Sequence, residues 1–172
     1  MTSRHIETQR LILRPLGAGD AVHFARLLGP DPEAVRQMAQ MPDPCTEDAA
    51  REWIEARLGP GGYVFAILRR SDGEFLGIAG FGGPADMPEV GYWMGAPYRG
   101  QGFATEAIRA LVEYARFIGV PRLHADTFPN NPGSERVLAK VGFAVAGPVE
   151  RNFPARGGRR RLTRHIYEIA GQ

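Results

Sequence analysis

The hexapeptide Arg99-Gly100-Gln101-Gly102-Phe103-Ala104 lies between a strand-like run, EVGYWMG at 89–95, and the longest amphipathic pattern in the chain. The first turn of a helix leaves backbone N–H groups without partners, and glycines let successive amides turn toward one concavity. A nest of this kind, at the positive end of a helix dipole, suits a diphosphate. The same glycines are equally compatible with a plain tight strand-to-helix turn. Two other nucleotide motifs do not fit. There is no G-x-x-x-x-G-K-[ST], and G-x-G-x-x-G fails because position 105 is Thr. His5, His23, His124 and His165 show no metal-ligand spacing, so no metal is expected. Cys45, without a neighbouring His or Cys, reads as a small buried residue, and Trp53 and Trp93 read as core.

The elements that must hold this segment fit one domain spanning 1–172. The 172 residues are 44% hydrophobic and 23% charged, an ordinary globular composition that excludes collagen-like, low-complexity and charge-driven disordered chains. There is no run of 18 apolar residues and no secretory pattern at the N-terminus, and a single cysteine fits a reducing compartment. A cytoplasmic protein with no membrane contact is therefore expected. The net charge of +2 is uneven. Six arginines (151, 156, 159, 160, 161 and 164) stand in a segment without an acid, and outside them 15 basic residues face 19 acids. Basicity this local makes a nucleic-acid partner unlikely. The segment reads as a solvated loop, or else as a surface for an acidic protein tail, an RNA-adjacent target or a ligand phosphate.

Local patterns give the coarse architecture. Strands are expected at 8–16, 63–70, 74–83, 89–95, 122–128 and 163–170, with Ser71-Asp72-Gly73 as a hairpin turn. Helices are expected at 21–28, capped by Asp20, at 47–58, opened by Thr46, at 104–118 and at 133–141. Within 104–118, Ala104, Ala107, Ile108, Leu111, Val112, Ala115 and Ile118 recur at helical spacing. The proline-rich stretch 29–45, with a weakly helical run at 33–40, reads as a plain or substrate-facing connection.

Arg99-x-x-Gly102-x-Ala104 resembles the Q/R-x-x-G-x-G/A signature of the GNAT N-acetyltransferase superfamily. The stretch GYWMGAPYRGQGFATEAI (91–108) is similar to its RimJ/RimL-type ribosomal-protein alanine acetyltransferase branch. A second match is N-x-x-S followed by K-x-G-F, at Asn131, Ser134, Lys140, Gly142 and Phe143, and RLILRPL resembles the branch's opening strand. The resemblance covers most of 8–170 and departs from the family at 144–164, which is longer and more basic here. It implies a mixed α/β fold, with a mostly antiparallel sheet splayed between the fourth and fifth strands and helices on both faces.

The resemblance also implies acetyl-CoA as co-substrate and direct transfer of acetyl to a primary amine, on a protein N-terminus or a small molecule, with no acyl-enzyme. Pantetheine would enter between strands 89–95 and 122–128, and the diphosphate would lie on the amides of Arg99, Gly100, Gln101, Gly102, Phe103 and Ala104. Met94 N–H is the expected oxyanion contact and Asn131 a pantetheine contact. The Arg99 side chain either pairs with phosphate or is solvated. Glu89 is the first candidate base, acting through water, and Asp126 the second; each is also readable as a carboxylate paired with an arginine. Ser134 is the candidate proton donor to sulfur, or else a helix cap. A monomer or homodimer fits equally. The alternative from a different class is a non-catalytic acetyl-CoA-binding sensor.

Overall fold

The computed structural model describes residues 5–38, 41–59, 62–154 and 157–169. Eight strands form one sheet: β1 (Ile6–Glu7), β2 (Leu11–Pro15), β3 (Tyr63–Arg69), β4 (Phe75–Gly82), β5 (Glu89–Met94), β6 (Arg122–Thr127), β7 (Ala144–Phe153) and β8 (Gly158–Glu168). Their order is β1-β2-β3-β4-β5-β6-β8-β7, and neighbours are antiparallel except β5 and β6. Helices α1 (Ala21–Leu28), α2 (Pro32–Gln37) and α3 (Glu47–Glu55) cover one face; α4 (Phe103–Phe117) and α5 (Pro132–Val141) cover the other. No helix among the described residues is long and apolar enough to cross a membrane.

The two faces are set by alternation along each strand. On β5, Val90 and Met94 enter the core shared with α4, where Ala107, Ile108, Leu111 and Val112 are buried. Trp93 points to the opposite face and meets Phe24 of α1 edge to face, with ring centroids 5.4 Å apart. Full burial of Ile108 and Leu111 contributes about 2 kcal/mol each. The expected helices at 21–28 and 104–118 are therefore present within a residue. Thr46 does cap α3, accepting from Ala49 N–H at 3.2 Å. Asp20 does not cap α1 with its side chain; its carboxylate takes both Arg14 guanidinium nitrogens and Gly17 N–H instead.

Gly77 fixes how closely β4 approaches β5. A Cβ there would lie 2.1 Å from the Trp93 carbonyl oxygen and 3.0 Å from Met94 Cα, both backbone atoms unable to swing away. Gly77→Ala is expected to destabilise the protein by about 2 kcal/mol, read from the urea midpoint. An unchanged midpoint would mean that the strands are not in this contact.

One region departs from the sequence expectation. Residues 144–153 form β7, and β8 begins at Gly158 rather than 163, so the described part of the arginine-rich segment lies in two paired antiparallel strands and not in a loop; Arg156 lies outside the described residues. β7 is a sheet edge with Gly147 at a bulge, and it keeps Pro148. Both residues are tolerated at an edge and argue against a strand in the interior. At the other end of the sheet, the short β1 pairs with β2 and was not foreseen.

Candidate active site

β5 and β6 touch at a single parallel bridge, Glu89 with His124, where His124 N–H donates to the Pro88 carbonyl at 3.1 Å. Beyond it the strands part, in the gap expected between strands 89–95 and 122–128. Gly95 N–H donates to Leu76 on β4 at 2.8 Å, and the β4–β5 register runs unbroken from Gly77↔Met94 to Gly82↔Glu89. Backbone groups alternate between the two neighbours of an antiparallel strand, so the N–H groups of Tyr92 and Met94 point into the gap. A cleft of about 1130 Å³ runs through this opening and is lined from both faces of the sheet.

On the α4–α5 side, Gly100 (φ 73°) and Gly102 (φ 83°) are both left-handed, and Gly102 is the residue before α4. No side chain caps this helix, so its first-turn N–H groups have no side-chain partner. Gln101 turns its side chain back onto the Pro97 carbonyl at 2.9 Å. Arg10, which sequence reasoning missed, arches over the nest. It donates to the Gln101 carbonyl at 3.0 Å, pairs with Glu106 at 2.7 Å and lies 4.5 Å above the Phe103 ring. Glu106 also accepts from Thr8 Oγ1 at 2.6 Å. Burial pushes the Glu106 carboxyl up, but these donors together hold it below the ordinary range. They tie the β1–β2 turn to the first turn of α4.

The remaining cofactor candidates are placed unevenly. Asn131 caps α5 by accepting Ser134 N–H at 3.2 Å, which commits its carbonyl oxygen and leaves its amide group to donate elsewhere. The Ser134 hydroxyl is not the cap; burial pushes the Tyr92 phenol up, and the nearby Ser134 side chain eases that back. Arg99 is half-exposed, and its guanidinium is bound away from the nest. Its Nε donates to the Met94 carbonyl at 2.9 Å and its Nη2 reaches Asp31 at 2.6 Å.

On the α1–α3 side, Glu89 and Asp126 share a counterion. Arg151 Nη1 lies 2.5 Å from Glu89 and 3.3 Å from Asp126, while Arg164 binds Asp126 through two nitrogens at 2.8 Å. The Asp126 side chain is 0% exposed and Glu89 is 36% exposed, so only Glu89 is open to the cleft. Burial raises the Asp126 carboxyl, but the hydrogen bonds and charge of Arg164, with His124 and Arg151, outweigh it and hold the group below the usual aspartate range. Ligand atoms of Glu89, His124 and Asp126 lie within 4.8 Å of one another, a grouping the histidine spacing did not foresee. Arg151 and Arg164 already supply its countercharge.

A carboxylate held low contributes stability above its unfolded-state pKa and loses it as pH falls through the lower, folded value. Asp126→Asn is therefore expected to cost about 3 kcal/mol at pH 7 by urea unfolding, because two guanidiniums lose a buried partner. The gap to wild type should close only as the pH drops below the ordinary aspartate range; a gap independent of pH would assign the loss to packing.

Residues 10–144 match the Acetyltransferase (GNAT) domain family. The chain is 30% identical over 156 residues to the uncharacterized N-acetyltransferase YoaA of Bacillus subtilis, covering 83% of this chain and 84% of that one. It is 33% identical over 100 residues to the "Probable N-acetyltransferase YjcK" of the same organism, an alignment that spans 55% of either chain. A GNAT-family acetyltransferase from Bacillus anthracis superposes with a TM-score of 0.84 at 20% identity, over 96% of this chain and 98% of that one. RimL, a ribosomal L7/L12 α-N-protein acetyltransferase solved with coenzyme A, superposes at 0.80 with 16% identity, over 98% and 100%. With the family matched over residues 10–144 and the parted strands ending on a glycine nest, this chain belongs to the GNAT acetyltransferases.

Proposed function

We propose that the protein transfers acetyl from acetyl-CoA directly to a primary amine, the coenzyme lying on the α4–α5 side of the parted strands and the acceptor on the α1–α3 side. The observation that carries this reading is the cleft itself. It joins the Gly100–Gly102 nest to Glu89 through the gap into which Met94 N–H points. The nest fits the coenzyme's diphosphate, with first-turn N–H groups lacking a side-chain cap and a cation, Arg10, at its rim. The thioester supplies an acetyl group already activated for attack by an amine.

The roles of the chain's own residues follow from position. Glu89 takes a proton from the acceptor ammonium through water, the freed amine forms the new C–N bond as the C–S bond breaks, and the second proton that nitrogen sheds replaces the one given to the departing sulfur. Met94 N–H donates to the carbonyl oxygen as it gains negative charge. The Ser134 hydroxyl donates to the departing sulfur, and Asn131 donates from its free amide group to the pantetheine arm. Asp126, buried and bound by Arg164, serves to fix Arg151 beside Glu89 and has no route to the acceptor. The acceptor is a protein N-terminus or a small amine, and the relatives that act on ribosomal proteins favour the first.

The test is free-thiol release from acetyl-CoA against peptides with different N-terminal residues, polyamines, amino acids and aminoglycosides. Turnover with one class identifies the acceptor. Tight coenzyme binding with no turnover across the panel would instead be the behaviour of a sensor and would overturn the proposal.

A further inference from the structure

We infer that the Arg99 side chain positions α2, the helix that walls the acceptor half of the cleft, through Asp31, and does not bind the coenzyme's diphosphate. This rests on the acetyl-CoA reading of the nest. Arg99 is the residue immediately before the nest, and its guanidinium is committed on two sides, to the Met94 carbonyl at 2.9 Å and to Asp31 Oδ2 at 2.6 Å. Asp31 is committed too: its Oδ1 accepts Ala34 N–H at 3.0 Å as the N-cap of α2, and its side chain is only 15% exposed. One carboxylate thus links the first turn of α2 to the residue that opens the nest.

α2 needs such a link. It has six residues and buries only Ala34 and Val35, too short and too lightly packed to hold its own place. Yet Ala34, Gln37 and Met38 line the cleft, opposite the parted strands. With Arg99 bound to the carbonyl of Met94, the same side chain registers α2 against the strand residue whose N–H faces the gap. Filling the nest fixes the backbone at Arg99, and the ion pair carries that order to α2. The coenzyme therefore completes the acceptor wall without touching it. Arg99 is 45% exposed, so the pair adds little to global stability and its loss reads out locally.

The variants Asp31→Asn, Arg99→Gln and the double separate this from a phosphate contact. Asn caps a helix about as well as Asp, so Asp31→Asn removes the charge and keeps the cap. Three measurements are made with acetyl-CoA as the probe: its affinity by calorimetry, amide exchange of Val35 and Met38 in the loaded protein, and kinetics with peptides bearing N-terminal Ala or Ser. Acetyl-CoA affinity should stay within about twofold of wild type in all variants. The α2 amides should exchange about tenfold faster in each single variant and no faster in the double, since both remove one interaction. Peptide KM should rise about tenfold with kcat nearly unchanged, and Arg99→Lys should recover part of it.

A tenfold loss of acetyl-CoA affinity in Arg99→Gln with unaltered α2 exchange would overturn the inference and make Arg99 a phosphate ligand. So would additive effects in the double variant. If the peptides are not turned over, the exchange result decides alone. Wild-type protein that fails to bind acetyl-CoA would sink the nest reading itself, a separate outcome.

Discussion

Gly102→Asp is expected to lower acetyl-CoA affinity at least about 100-fold, close to 3 kcal/mol, while leaving the protein folded. Three effects act together. The position is left-handed (φ 83°), where any side chain is strained. The new carboxylate stands at the first turn of α4, where the diphosphate would lie, and repels it. It also comes within reach of Arg10, whose Nη2 is 3.3 Å from where the Cβ would sit, and so draws the cation at the rim away from a bound phosphate. Gly102→Ala carries the strain without the charge and should lose only a few-fold. Calorimetry on both, with circular dichroism to verify folding, separates the terms. Wild-type affinity in the Asp variant would mean that the nest does not hold the coenzyme.

Glu89→Gln should lower kcat by about 10²- to 10³-fold with acetyl-CoA affinity unchanged, since the amide still fills the place beside Arg151 but cannot take a proton. Asp126→Asn is the contrasting case. It removes a carboxylate that is buried and bound by two arginines, and should cost stability first. Turnover of the Gln variant within threefold of wild type would leave Glu89 as an ion-pair partner only. The two variants together ask which carboxylate on this face accepts the proton.

What the sequence made legible is what local interactions determine. α4 follows from seven apolar residues at helical spacing, and the β3–β4–β5 meander from short alternating runs with turn residues between them. The nest is equally local, because Gly100 and Gly102 permit the left-handed backbone that precedes α4. That the strands part was implied by the family resemblance, and the single β5–β6 bridge is its structural counterpart. β7 escaped for a physical reason. Only Phe153 on it is buried, the alternation over 147–153 being between half-buried and exposed positions, and its glycine and proline argue locally for a loop.

The partners of the site residues were beyond the sequence. Arg151 is 62 positions from Glu89, Arg99 is 68 from Asp31 and Arg10 is 96 from Glu106, and each pair meets only because sheet order and helix docking bring it together. The sequence offered Glu89 as the first base and Asp126 as the second, and Arg99 as either a phosphate partner or a solvated side chain. Burial of Asp126 between two guanidiniums, and closure of Arg99 on Asp31, are consequences of packing. The sequence determined a glycine-rich turn into α4 and a carboxylate at the start of β5, and its resemblance to a family implied the nest and the parted strands. The tertiary structure decided which charges remain open to the cleft, because an ion pair depends on distance in space and not along the chain.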